Sequence, residues 1–547
     1  MYHQRTMPGL RLGLAVLLIT AAPLAQQAEI PAAVRAAADK ITAEQLKRDL
    51  DYLSSDQLKG RNTDSPGYDM AADYIAKRLQ RAGLKPLGDD GSFFQRYVVR
   101  DIQADTAAAY IEIDGRRLRF GDDFVLRSLT GAMSGAKQVV YVGHGWTVAG
   151  QRIDPYDGVD VKGKLVVVHG PRALPKGVEI PQLGRVNVGG SPPFLEAERR
   201  GAAGIIFIPQ SSVNNWEQMR GQNLTRRELE PSVPSAYAAP AVASVMLSRQ
   251  ATDALMAGET IAGAELLALG DKQEYPPSFL LKKSVTLTVP LASTTDLRPY
   301  NVVALLEGSD PTLKNEYITI ESHLDGAVGS RTVEGDSIYN SADDTASGSA
   351  GNLAIAEFMA AGPRPKRSII FIWDSGEERG LWGTRYFVSR PPVPLETIVT
   401  HINIDMIGAN SALDPAPTPR TTGPNEIFLL GTQVLSAQAD ALLHSVNNAY
   451  LKMKLNQDND RPESEYFYPR TDAGPFLERG VLTIGFTSGN HNRYHLPADE
   501  ARFLDPQKME TTARTIFVSA WMMADVQVRP RIDRSIPSTV LRYPQEP

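Results

Sequence analysis

Ile369 to Trp373 reads IIFIW, a continuously apolar run of β-branched and aromatic residues, and Ser375-Gly376 breaks it just before two adjacent carboxylates, Glu377 and Glu378. Such a run suits a strand buried on both faces, which a parallel sheet covered by helices provides. The turn then delivers the glutamates at the strand's C-terminal end, where open α/β sheets place their ligands and chemistry. Neighbouring glutamates leaving a strand in a turn point in different directions, so one can face a metal and the other a water beside it. Taken alone, a Glu-Glu pair reads as a solvated loop, since Glu is mostly exposed. The rest of the chain changes that reading.

Further apolar runs at Tyr317–Glu321, Thr400–Asp405, Glu426–Leu430 and Leu482–Phe486 alternate with helical patterns. That alternation predicts an α/β fold on a mixed, largely parallel sheet flanked by helices. Upstream, Thr42 with Gln45 predicts a capping box ahead of Leu46, Leu50 and Leu53, and Ser65-Pro66 opens a second helix striped by Ala71, Ile75 and Leu79. A last helix begins at Asp505-Pro506 and aligns Met509, Ala513, Ile516, Ala520 and Met523 on one face. The polar loops Gly408–Asn425 and Leu455–Pro469 read as lids or binding loops.

From about Ser134 to Glu274 the texture changes to short β runs, Gln138–Val142, Lys164–Val168 and Gly204–Ile208, separated by Gly, Pro and Asp turns. We read this as a small β-rich module inserted into the main domain. Its strings DPYDGVDVKGKLVVV (154–168) and EAERRGAAGIIFI (196–208) resemble the protease-associated domain. His144 and His169 within it read as structural. The expected division is residues 30–133 and 284–527 for the main domain, 134–274 for the insert and 528–547 for a C-terminal tail.

At the N-terminus, Arg5 and Arg11 precede the apolar run Leu12–Ile19, which small residues follow up to Ala25. This is the layout of a secretory signal peptide over residues 1–25, so the chain is expected to be exported to the periplasm or beyond. No later stretch is long and apolar enough to span a membrane. A net charge of -6 without a Lys/Arg block argues against nucleic acid as a partner. The chain has no cysteine, so any metal must be held by His, Asp and Glu.

Four other places in the main domain offer such ligands. His323-Leu324-Asp325 follows the strand ending ITIE, and the aspartate there can hold the imidazole tautomer. NSADDTASG (340–348) sets Asp343 and Asp344 before small residues that begin a helix; one of these carboxylates can bridge two cations, or both can simply decorate a helix N-terminus. Asp405 ends the apolar run HINIDMIG, where a lone buried carboxylate would be costly, while His401 in the same run reads as packing. His495 stands in NRYHLPADE beside Tyr494, with His491 a competitor for the same role. His323, one of Asp343 or Asp344, Glu378, Asp405 and His495 together suit two cations sharing a bridging carboxylate. No G-x-S-x-G or H-E-x-x-H string occurs.

The ordered set HLD, SADDTASG, DSGEERGLWGT, NIDMIG and YHLPAD resembles the di-zinc aminopeptidase family that also contains glutamate carboxypeptidase and the transferrin receptor. The resemblance spans Ser284 to Val526 and implies a zinc exopeptidase fold. It further implies two Zn2+, with His323 and Asp405 on one, Glu378 and His495 on the other, and Asp344 bridging. Glu377 would be the general base, Asp325 a support for His323, and Tyr494 a donor to the tetrahedral oxyanion. RTDAGPF (470–476) resembles the family's R-S-D-H-x-x-F string, with Thr471 and Ala473 in place of its Ser and His. The expected function is that of an exported metallo-aminopeptidase acting on peptides. Alternatives within the same resemblance are a carboxypeptidase, a glutaminyl cyclase or a non-catalytic receptor-like protein.

Overall fold

The Thr42 hydroxyl accepts the Gln45 N–H, so helix α1 (Ala43–Leu53) begins where the sequence places it and buries Leu46, Leu50 and Leu53. The reciprocal half of the capping box does not form, because the Gln45 amide bonds Glu357 at 3.2 Å instead. Ser65 caps helix α2 (Pro66–Arg81) with Pro66 in its first turn. The computed structural model describes residues 29–536 apart from 128–129, 171–172, 179–181, 184–185, 188–189, 211–215, 222–223, 231–241 and 463–469. The expected signal peptide (1–25) and the end of the expected tail (537–547) therefore lie outside the described residues.

The main sheet is built on strands β1 (Tyr300–Leu306), β2 (Tyr317–His323), β3 (Ser368–Asp374), β4 (Ile398–Ile404), β5 (Glu426–Leu430) and β6 (Leu482–Thr487). They lie in the order β1-β3-β2-β4-β6-β5. The central run β3-β2-β4-β6 is parallel, whereas β1 and β5 pair antiparallel at its sides. Lys454–Asn456 adds a further edge strand beside β5, so the expected loop from Leu455 begins inside the sheet. Side chains alternate along β3 as a strand's period of two requires. Ile369, Phe371 and Trp373 join the core under α1, α2 and helices α3 (Gly348–Ala360) and α6 (Pro506–Asp525), while Ile370 and Ile372 pack with Phe387 and Phe476. Those two rings come from helices α4 (Trp382–Ser389) and α5 (Ala473–Glu478) on the other face. Both faces are covered, which is why β3 reads as unbroken apolar sequence.

Among the described residues the second sheet has eight strands, and its inner strands Ala136–Tyr141, Leu165–His169 and Gly204–Ile208 run parallel as neighbours. It also takes in Tyr110–Ile113, Arg116–Leu118, Phe124–Leu126 and Phe279–Thr288, which lie outside the window 134–274. These outer strands are short or interrupted by charge, as in YIEI and FLLKKSVTLT, so the sequence gives them little signal. Among the described residues, no helix is long and apolar enough to cross a membrane.

His144 and His169 are both buried in this unit. Nδ1 of His144 accepts the Trp146 N–H at 3.1 Å, and His169 bonds the Tyr141 hydroxyl. Burial pulls each imidazole down to about 4. Between pH 6.5 and 4 the unfolded chain therefore takes up protons that these groups refuse in the fold, and stability falls as pH falls. His144→Asn keeps an acceptor for the Trp146 N–H but does not titrate. It is expected to remove roughly 3 kcal/mol of that acid loss; urea unfolding curves with the same pH slope in both proteins would refute this.

Candidate metal centre

The C-terminal edge of the parallel strands gathers the side chains. β2 ends at His323, β4 runs directly into Asp405, the turn after β3 carries Glu377 and Glu378, and the segment after β6 carries His491, Tyr494 and His495. Asp344 comes from Ala342–Ser347, a wide turn that leads into α3. Asp344 and Thr345 leave helical dihedrals there, which the expectation of a plain helix start did not contain.

Two donor groups result, and Asp344 belongs to both: His323, Asp344 and Asp405 form one, and Asp344, Glu378 and His495 the other, with one atom from each residue within 4.8 Å of the rest. Nε2 of His323 lies 3.2 Å from Asp344 Oδ1 and 3.5 Å from Asp405 Oδ1. Nε2 of His495 lies 3.0 Å from Asp344 Oδ2 and 3.2 Å from Glu378 Oε1.

Whether these residues fit a metal is decided by the atoms left over. His323 Nδ1 donates to the Asp325 carbonyl at 3.0 Å, so in the neutral ring Nε2 presents a lone pair to two carboxylates. That Nε2, Asp344 Oδ2, Glu378 Oε1, Asp405 Oδ1 and His495 Nε2 are all buried without a hydrogen-bond partner, a costly state unless something positive joins them. Burial opposes a charge on both imidazoles, yet the facing carboxylates push both up, His495 to about 10. Nitrogen and carboxylate donors in two overlapping sets fit a pair of divalent cations.

The support differs from the expected pattern at one point. It is the Asp325 main-chain carbonyl that orients His323; the carboxylate stands 3.8 Å from the ring and instead accepts from Thr63 and the Glu377 N–H. His491 does not join either group. Its Nδ1 accepts the Arg493 N–H, and its Nε2 lies 3.5 Å from Asp343 and 3.6 Å from Asp499. Asp343 turns away from Asp344 to accept from Gly408, Ala409, Ser347 and Ser488.

Three features were not read from the sequence. Asp499 accepts the N–H groups of both Asp343 and Asp344, so it fixes the backbone of the shared carboxylate. Its spacing from His495 in YHLPAD was the available signal. Glu321, Asp374 and Asp472 form a third, fully buried acid group, with the Thr384 hydroxyl between the two aspartates. Burial, reinforced by the neighbouring acids, pushes Glu321 and Asp472 well above the usual carboxylate range. Backbones at Ser341, Met406 and His495 are left-handed, with φ of 48, 59 and 56°; such strain costs of order 1–3 kcal/mol each and gathers at functional sites.

A cleft opens over the groups, lined by Asp344, Glu377, Asp405, Arg470 and Tyr494 together with apolar Met406, Leu430 and Phe486. Glu377 thus faces the cleft beside the donor groups without belonging to either. Tyr494 stacks on His495 with ring centroids 3.8 Å apart, and its oxygen accepts from Arg470 at 2.9 Å. Burial and then Asp344 push the phenol well above its ordinary value, so it keeps its proton.

A family model, Peptidase family M28, matches residues 301–520. Leupeptin-inactivating enzyme 1 of Streptomyces exfoliatus is 30% identical over 164 residues, covering 29% of this chain and 35% of its own. A probable zinc metalloprotease of Pyrenophora tritici-repentis is 24% identical over 265 residues, covering 42% and 58%. This chain thus spans between about a third and three fifths of the length of these curated relatives. An aminopeptidase from Aneurinibacillus sp. strain AM-1 superposes with a TM-score of 0.49 at 17% identity, over 92% of this chain and 98% of that one. Both donor groups and Glu377 fall inside the matched span, and the chain carries a Peptidase family M28 domain at residues 301–520.

Proposed function

We propose that the protein is a di-zinc exopeptidase that removes N-terminal residues from peptides. The observation that carries this reading is the sharing of Asp344 between two donor groups whose inward atoms have no other partner. His323 and Asp405 would hold one zinc, Glu378 and His495 the other, with Asp344 bridging. Zinc bound there supplies Lewis acidity toward the scissile carbonyl and lowers the pKa of water toward about 7. Glu377 takes the proton of the attacking water and delivers it to the leaving amine, a role typically worth roughly 10² to 10⁴ in rate. The Tyr494 O–H, still protonated at neutral pH, donates to the oxyanion of the tetrahedral state. An exported location rests on Arg5, Arg11 and the apolar run Leu12–Ile19. The strings at 154–168 and 196–208 support naming the β-rich unit a protease-associated domain.

A carboxypeptidase reading draws on one specific observation, the Arg470 guanidinium at the cleft wall, since a carboxylate terminus is bound by Arg. Arg493, next to Tyr494 in sequence, is instead paired with Asp414 at 3.3 Å. Mass spectrometry of products from peptides with free or blocked ends separates the two readings. N-acetylation is expected to reduce kcat/KM more than C-terminal amidation does. The opposite order would replace the aminopeptidase reading with the carboxypeptidase one.

A further inference from the structure

The segment Asp56–Thr63 lies outside the matched residues 301–520, yet it is wedged against the loop after His323 and the loop before Asp344, two of the three residues of the first donor group. Arg61 is 1% exposed and has a left-handed backbone at φ 53°. Its guanidinium donates from Nε to the Leu324 carbonyl at 2.9 Å, from Nη2 to that of Ser341 at 3.0 Å, and from Nη1 to those of Asn340 at 2.9 Å and Leu53. Leu324 follows His323 directly, and Ser341 precedes Asp344 by three residues. One planar fork, whose donors have fixed relative directions, therefore joins the peptide after one donor to the peptides before the shared one.

The contact leaves no slack. A Cβ on Gly60 would meet the Tyr339 carbonyl oxygen at 2.4 Å, and one on Gly326 would meet that of Gly60 at 2.4 Å. The three backbones touch, so the segment cannot shift without moving both loops. Two residues on, the Thr63 hydroxyl donates to Asp325 Oδ2 at 3.0 Å, and Asp325 Oδ1 accepts the Glu377 N–H at 3.2 Å. The brace thereby reaches the glutamate that faces the cleft.

We propose that Arg61 is a positioning residue for the metal centre: it sets the spacing of His323 and Asp344 and so the affinity of the group they form with Asp405. This rests on the di-zinc reading above. The test titrates metal-free wild type, Arg61→Lys and Thr63→Val with zinc against a chromophoric chelator, alongside their thermal unfolding and their kcat and KM on an unblocked peptide. Lysine keeps the charge but not the fork. Arg61→Lys is expected to weaken binding of at least one zinc by about 10- to 100-fold, the range for outer partners of metal ligands. Its kcat is expected to fall while KM stays within about threefold. Thr63→Val should move kcat the same way by a smaller factor at a near-native melting temperature.

If Arg61→Lys melts earlier but binds both zinc ions as tightly as wild type, with equal kcat per folded molecule, the residue only stabilises the fold and the inference fails. Should that variant not fold, Thr63→Val decides, and unchanged kcat in it overturns the brace. Wild type that binds no zinc would instead sink the metal reading itself, and this inference with it.

Discussion

Glu377→Gln is expected to leave zinc content unchanged and to lower kcat by at least about 10²-fold. The two glutamates of the turn have separate surroundings. Glu378 Oε1 points at His495 Nε2 at 3.2 Å within a donor group, whereas Glu377 lines the cleft and belongs to neither group. The amide keeps the shape of Glu377 and its backbone bond to Asp325 but cannot accept a proton from water. Elemental analysis beside steady-state kinetics reads both quantities at once. Glu378→Gln is expected to lose metal; if Glu377→Gln lost it and Glu378→Gln kept it, the two roles would be exchanged.

Asp344→Asn is expected to cost both ions and, with them, nearly all activity. Its two oxygens serve different groups, Oδ1 facing His323 and Oδ2 facing His495, so a neutral amide weakens both sites together. The loss should exceed the roughly 10- to 100-fold that removal of an outer partner costs. The adjacent Asp343 is the control. Its carboxylate accepts from two backbone N–H groups and two hydroxyls rather than joining a donor group. Asp343→Asn is therefore expected to cost stability, about 1–3 kcal/mol through misdirected buried donors, while keeping the metal. Zinc content should fall in Asp344→Asn and hold in Asp343→Asn, which melts earlier with its metal in place; metal loss in Asp343→Asn with retention in Asp344→Asn would show the wrong aspartate was assigned.

How far the sequence could be read depended on whether the information was local. Ile369–Trp373 announces a strand because both of its faces are buried, and Ser65-Pro66 and Asp505-Pro506 announce helix starts because capping acts over a few residues. His323, Glu378 and Asp405 stood out because each ends or follows an apolar run, whereas the choice of Asp344 over Asp343 came from the resemblance of the ordered motifs. What escaped was decided by distant partners. Asp325 looked like a carboxylate support for His323, but its side chain is drawn away by Thr63, 262 residues earlier. Arg61 reads as a charged residue in a polar stretch, and nothing within that stretch shows that residues 263 to 280 positions away bury it. Glu321 lies within β2 and Asp374 ends β3, residue types for which exposure is the ordinary expectation; their partners, Asn403 of β4 and Thr384 of α4, lie on other elements. In the β-rich unit, the inner strands carry their own apolar signal, while YIEI and FLLKKSVTLT pair with each other and the latter also with Ala136–Tyr141, partners that local sequence does not reveal.

The central claim is that one carboxylate holds two ions. Stepwise addition of zinc to metal-free protein, with bound metal and hydrolysis of an unblocked peptide followed together, tests it directly. Binding and activity are expected to saturate together at two zinc ions per chain. Saturation of both at one ion per chain would contradict the bridging role of Asp344.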